Sequence, residues 1–352
     1  MAERPVAEPR ARGVFLRACA GEPTPYTPIW LNRQAGRYMR EYHAVKGSTP
    51  SLAFFKTPEL ASRVTLDAQR ILGVDAAILF ADLLPVLEPM GLCLDYKAGE
   101  GPVFDNPVRS AHDVVALRVV PAAEGTGYIA ETIARILEDL PNGIALIGFA
   151  GAPFTLASYA IEGRGSRTYT HVKKMMYEAP AVWRALMDKI VDAVIGYVRL
   201  QIDSGVDAVQ LFDSWVGNLS KRDYVEYAAP FTRRLIDGVK GRVPIIHFGT
   251  GNPHLVADMY AAGGDVMALD WRTPLRATWD SLGCRAVQGN LDPIVLCADR
   301  STVARQAGAI LDEAAGKPGH VFNLGHGIVP ETPVDNVKYL VDFVHERSQR
   351  GG

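Results

Sequence analysis

A chain of 352 residues is long enough for one large domain or two ordinary ones, and 48% apolar against 22% charged residues is a globular rather than a disordered composition. Lys and Arg number 37 against 39 Asp and Glu, so the net charge of −2 creates no global basic field for nucleic acid or an anionic membrane, although a local basic pocket stays compatible with it. Cys19, Cys93, Cys284 and Cys297 form no C-x-x-C pair, which suits a reducing compartment and argues against a disulfide framework or a four-thiolate zinc site.

From the N-terminus, residues 1–25 carry Pro5, Pro9, Pro23 and Pro25 between charges and read as a poorly ordered, irregular arm. Met1 to Pro28 lacks the apolar core of a signal peptide, and a cytoplasmic location is expected. Eight short apolar runs follow: Ile29–Leu31, Ala76–Phe80, Ile144–Phe149, Ala208–Phe212, Val243–His247, Val266–Leu269, Ala286–Gln288 and His320–Leu324. They are continuous rather than alternating, as in parallel strands covered on both faces. Ile144 to Ile161 carries no charge over 18 residues, but its central Gly148, Gly151 and Pro153 divide it into a buried strand, a loop and a helix rather than a membrane span.

Helical patterns separate the runs. Thr57-Pro58, Thr273-Pro274 and Thr332-Pro333 each set a hydroxyl before a proline, predicting capped helix starts with proline at the first helical position. Val182, Leu186, Ile190, Val194, Val198 and Ile202 share one helical face, and Val334, Val337, Leu340, Val341 and Val344 share another. Strand then helix, eight times over, with no interdomain linker, predicts one (β/α)8 TIM-type barrel over residues 26–349. A doubly wound open sheet is the alternative. Nucleotide-binding glycine motifs, H-E-x-x-H and G-x-S-x-G are all absent.

In such a barrel, chemistry sits where strands end. Arg33 and Arg37 follow the first run four residues apart; they are either two solvated surface arginines or a pair able to grip carboxylate or phosphate. Asp82 follows the second run inside an apolar stretch, where a carboxylate either caps the next turn or is held for a partner. Tyr159 reads as a core tyrosine or a ligand contact, Ser214 as a hydrogen-bonding or capping group, His247 as a neutral structural imidazole, and His326, between two glycines, as a ligand group. Such a mouth suits a polyanionic small molecule that carries NH groups.

Arg33-Gln34-Ala35-Gly36-Arg37-Tyr38, Asp75 through Asp82, Gly148 through Leu156 and Asn323-Leu324-Gly325-His326-Gly327 together resemble the uroporphyrinogen decarboxylase family, in its order, from about Pro28 to His345. The resemblance implies a distorted single-domain barrel and a homodimer that uses neither metal nor organic cofactor. It implies removal of carbon dioxide from the four acetates of uroporphyrinogen III, a tetrapyrrole, to give coproporphyrinogen III, with no nucleic-acid or membrane partner. It maps substrate binding to Arg33, Gln34, Ala35, Gly36, Arg37, Tyr159, Ser214 and His326, and catalysis to Asp82 at the pyrrole nitrogens. Ala81 stands where many relatives have serine and Lys46 where many have arginine. Two other classes are weighed. Zinc-dependent cobalamin or coenzyme M methyltransferases resemble the barrel but need thiolates, where this chain has His247-Phe248-Gly249 and His326. A non-enzymatic tetrapyrrole-binding protein would need no aspartate in an apolar run.

Overall fold

The computed structural model describes residues 12–97 and 99–350. Nine strands occur among them: β1 Ala76–Ile78, β2 Leu94–Lys97, β3 Gly101–Phe104, β4 Ala145–Gly151, β5 Ala208–Asp213, β6 Ile245–Gly249, β7 Val266–Ala268, β8 Ala286–Gln288 and β9 His320–Val321. Seven form one parallel sheet in the order β1-β4-β5-β6-β7-β8-β9, while β2 and β3 make a separate antiparallel hairpin. Every residue of β1, β4, β6, β7, β8 and β9 is buried, which is why these strands read as unbroken apolar runs.

The eighth position is filled without a regular strand. Ile29 bridges Phe322 in parallel, the Phe322 N–H donates to the Pro28 carbonyl at 2.8 Å, and the Asp75 N–H donates to the Ile29 carbonyl at 2.9 Å. The first run thus lies between β9 and β1 and closes the barrel. The uncharged stretch from Ile144 divides as its glycines and proline require, into β4 and the helix Pro153–Glu162. No helix among the described residues is long and apolar enough to cross a membrane. Helix Pro180–Asp203 buries Leu186, Ile190, Val194, Val198 and Ile202, and helix Val334–Arg347 buries Val337, Leu340, Val341 and Val344.

Two expectations change. The second half of the N-terminal arm is ordered: Val14–Cys19 is helical and buries Phe15, Ala18 and Cys19, because its apolar residues find a surface against the barrel that the prolines around them hid; residues 1–11 lie outside the described residues. The threonine caps also differ. Only Pro58 occupies the first turn of its helix, with Thr57 donating back to the Ala53 carbonyl at 2.8 Å instead of capping. Pro274 and Pro333 are themselves the residues that precede their helices.

Closure depends on one buried carboxylate. Asp75 Oδ2 accepts from the Ile29 N–H at 2.7 Å and lies 2.8 Å from His345 Nε2, and Oδ1 accepts from the Tyr26 hydroxyl at 3.0 Å. One side chain therefore ties together the first run, the start of β1 and the C-terminal helix. Inside the barrel a chain of amides crosses from strand to strand. Trp30 Nε1–H donates to Gln288 Oε1, Gln288 Nε2–H to Gln210 Oε1 and Gln210 Nε2–H to Asn32 Oδ1, each at 2.9 Å. Asn32 in turn donates to the Leu324 carbonyl at 3.2 Å, so each donor meets an acceptor away from water.

Asp75→Ala leaves the Ile29 amide and the tyrosine hydroxyl without their charged acceptor, and the expected loss is about 3 kcal/mol or more in denaturant unfolding. A change under about 0.5 kcal/mol, the usual size for an exposed surface residue, would show that closure does not depend on it.

Candidate active site

The loop after the first run is held by its buried member. Gln34 accepts from the Leu31 N–H and donates to the Ala76 carbonyl, both at 3.3 Å, while its own carbonyl accepts from the Tyr38 hydroxyl at 2.5 Å. Its side chain is thus engaged in anchoring the loop to β1. Arg33 projects from that anchor in a left-handed conformation, φ 60°, which L-residues rarely adopt without support. Its side chain crosses Gly327, where a methyl group would overlap its Cγ, Cδ and Nε. Gly325 is needed for another reason, since a side chain there would run into the backbone of Trp271. Ala35 and Gly36 are half-buried along the same turn. Arg37 is exposed; its carbonyl accepts from His43 Nε2–H at 2.8 Å, and its charge acts on Tyr42.

Asp82 leaves β1 between Phe80 and Leu83. Its Oδ1 accepts from the Leu84 N–H at 3.0 Å, so the turn-capping role is real. That bond occupies one oxygen. Burial pushes the carboxyl above the usual range, and the Leu84 amide, the Tyr96 hydroxyl and the Arg33 charge pull it only part of the way back. Capping alone leaves that tension unexplained, because an asparagine would accept the same amide bond without desolvating a charge.

Tyr159, on the helix Pro153–Glu162, faces the same space. Its phenol is pushed up to about 12, mainly by burial and next by the Asp82 charge, and Arg33 also acts on it. The ring packs on Trp215 with centroids 5.7 Å apart. His326 is half-buried, and its Nδ1 accepts from the Gly327 N–H at 2.8 Å. An accepting Nδ1 carries no proton, which leaves the ring proton on Nε2, and burial and the Arg33 charge lower the imidazole's pKa in the same sense. The structure therefore brings Arg33, Asp82, Tyr159 and His326 into one electrostatically coupled group. Ser214 is half-buried just past β5, beside Asp213, whose carboxylate accepts from the Thr155 hydroxyl at 2.7 Å. Phe149, Phe212 and Phe248, on neighbouring strands, pack edge to face at 5.8 Å.

Three residues near this mouth were not singled out from the sequence. Tyr96 belongs to the β2–β3 hairpin, too short an alternation to register as a strand. Arg272 and Asp270 follow β7: Arg272 Nη1–H donates to both Asp270 oxygens at 3.0 and 2.8 Å, and both residues act on His326. An aspartate and an arginine just past an apolar run were a usable signal. His247 is the buried neutral imidazole expected, its pKa pushed down to about 4 by burial and its Nδ1 bonded to the Gly263 carbonyl at 3.0 Å. Lys46 binds the Thr49 carbonyl at 2.7 Å. Among the described residues no three His, Cys, Asp or Glu side chains are grouped to hold a metal ion.

A parallel barrel whose strand ends gather arginine, carboxylate, phenol and imidazole has the chemistry to take a small anionic molecule with donor groups. The chain belongs to the uroporphyrinogen decarboxylase (URO-D) family, which it matches over residues 11–347. A protein of Chloroflexus aurantiacus named uroporphyrinogen decarboxylase is 51% identical over 339 residues, 95% of each chain. One of the same name from Sorangium cellulosum is 51% identical over 333 residues, covering 94% of this chain and 95% of the relative. Among solved structures, a methyltransferase from Methanosarcina mazei superposes with a TM-score of 0.80 at 20% identity over 94% of this chain and 97% of its own, a likeness of fold.

Gly327→Ala would evict the Arg33 side chain from its path while leaving the core untouched. Substrate KM is expected to rise roughly tenfold, the loss of about one charged hydrogen bond, with little change in melting temperature. An unchanged KM would remove the Gly327–Arg33 crossing from the binding site.

Proposed function

We propose that the protein decarboxylates the four acetate side chains of uroporphyrinogen III to methyl groups, giving coproporphyrinogen III. The observation that carries the proposal is the Asp82 carboxylate, desolvated at the mouth of a barrel of this family and short of cationic partners. Breaking the bond between an acetate methylene and its carboxylate leaves an electron pair on carbon. The pyrrole accepts that pair if a ring carbon is first protonated, which makes an azafulvenium-like cation. Carbon dioxide departs as the pair moves into the ring; protonation of the exocyclic methylene and loss of the added ring proton then restore the pyrrole. Net consumption is one proton per carbon dioxide released.

Each residue then has a task. Asp82 accepts the pyrrole N–H groups and stabilises the positive charge as it develops, from a fixed position in a poorly solvated site. Arg33 and Arg37 hold substrate carboxylates, on a loop whose course Gln34, Ala35 and Gly36 set. His326 offers its Nε2–H, and Tyr159 and Ser214 offer hydroxyls. The aromatic row of Phe149, Phe212 and Phe248 provides apolar surface for the macrocycle. No step in this scheme calls for a bound metal or organic cofactor. A methyltransferase reading would need a metal-binding thiolate, and among the described residues no cysteine belongs to a group of three or more His, Cys, Asp or Glu side chains that could hold a metal ion. A homodimer and a cytoplasmic setting rest on the family likeness; light scattering during gel filtration should give twice the chain mass, and a single-chain mass in a fully active sample would refute the dimer.

Asp82→Asn keeps the bond to Leu84 and removes the charge. Anaerobic turnover of uroporphyrinogen should fall by a factor of roughly 10²–10³, about 3–4 kcal/mol. Stability should move the other way. A carboxyl whose folded pKa is raised contributes stability that is complete below its unfolded value and is lost as pH rises through the folded one. At pH 7 the wild type therefore bears the cost of desolvated charge, and the asparagine variant should melt at the same temperature or higher. Near-normal turnover would remove Asp82 from the mechanism.

A further inference from the structure

We propose that Tyr96 is the positioning residue for the Asp82 carboxylate: its buried, otherwise unpartnered hydroxyl, carried in from the β2–β3 hairpin, donates to the carboxylate and fixes its direction. The inference rests on the role given to Asp82 above and adds a residue to it. In β2 the alternation of Leu94 buried, Asp95 exposed, Tyr96 half-buried and Lys97 exposed turns Tyr96 inward beside Leu94. The ring is fixed there by packing. Tyr96 meets Phe55 with centroids 5.5 Å apart, and Phe55 meets Phe80, two residues before Asp82, also at 5.5 Å. The hairpin is thereby clamped onto the exit of β1, and the Tyr96 hydroxyl is shut off from water with no hydrogen-bond partner within normal bonding geometry, so it is a buried donor in need of an acceptor. The Asp82 carboxylate is the acceptor it faces.

A phenol suits this place for a chemical reason. It donates one hydrogen bond to the ionised carboxylate without adding a formal charge, so it fixes the oxygen's direction and favours ionisation while leaving the negative charge for the pyrrole cation. Arginine in the same place would neutralise it. The other ionisable groups around Asp82 are Arg33 from the first loop, Tyr159 from the helix Pro153–Glu162, Tyr128 from the helix Ala122–Asp139 and Tyr197 from the helix Pro180–Asp203, with Glu88 acting on Tyr96 and Tyr128. Of these, Tyr96 is the neutral side-chain donor that acts on the carboxylate, and its hydroxyl has no competing partner.

The test is Tyr96→Phe, with Tyr96→Met as a second variant lacking the hydroxyl should the first fold poorly. Two readouts are compared with wild type: the acid limb of kcat/KM, and an infrared titration of the protonated carboxyl band that Asp82→Asn removes. Losing a donor to the charged form should move both midpoints up by about one pH unit, lower kcat roughly tenfold on the acid side, and leave KM and melting temperature nearly unchanged. Midpoints that stay put in both variants overturn the assignment. If Asp82→Asn is itself fully active, the role of Asp82 fails; if it is inactive while the Tyr96 midpoints do not move, only the inference about Tyr96 fails.

Discussion

A carboxylate in an apolar setting is stable only if something positive or hydrogen-bonding comes to meet it. Asp82 receives the Leu84 amide, and the Leu83 amide, the nearby Tyr96 hydroxyl and the Arg33 charge also favour its ionised form, yet together they are less than its burial demands. The resting protein therefore holds a group whose charge is better satisfied by a ligand than by the protein. Transition-state stabilisation of this kind works because the charge is placed before the reaction, so no dipoles have to reorganise as the pyrrole becomes cationic. In the proposed function, the rest of the site positions a many-carboxylate molecule so that its N–H groups, rather than its acids, meet Asp82.

Separating those two kinds of contact falls to the barrel's closure. The first apolar run never forms a full strand, yet Asp75 and Phe322 lock it between β9 and β1. The loop that follows then starts within reach of both β1 and the turn that ends in His326. The buried amides from Trp30 to Asn32 fix that starting point, Gln34 anchors the loop, and Arg33 takes a left-handed conformation over Gly327. A strained arginine and the glycine its side chain crosses lie 294 positions apart in the chain (327 − 33), and they make sense as one device.

Much of this was legible in the chain, for physical reasons that can be named. Parallel strands buried on both faces leave unbroken apolar runs, so β1 and β4 through β9 were visible, and a lone Asp82 in such a run signalled itself by its cost. What escaped depended on partners distant in sequence. Val14–Cys19 becomes a helix because Phe15 finds the barrel to bury against, a fact no local pattern states. The hairpin that brings Tyr96 has only four residues in each strand, and two inward positions are too few to show a period. The threonine–proline pairs misled because a sequence cannot say whether a proline begins a helix or precedes it. Gln34 was grouped with the ligand contacts, and its side chain proves to be committed to the loop's own anchorage.

The central claim is that ligand N–H groups supply the stabilisation Asp82 lacks when the site is empty. Binding must then lower the carboxyl's pKa, and wherever it is partly protonated in the free protein, binding must release a proton. Calorimetry with coproporphyrinogen, run anaerobically in two buffers of different ionisation enthalpy on the acid side of neutrality, counts that proton directly. The account predicts release on binding to the wild type and its disappearance in Asp82→Asn; equal proton counts in the two proteins would contradict it.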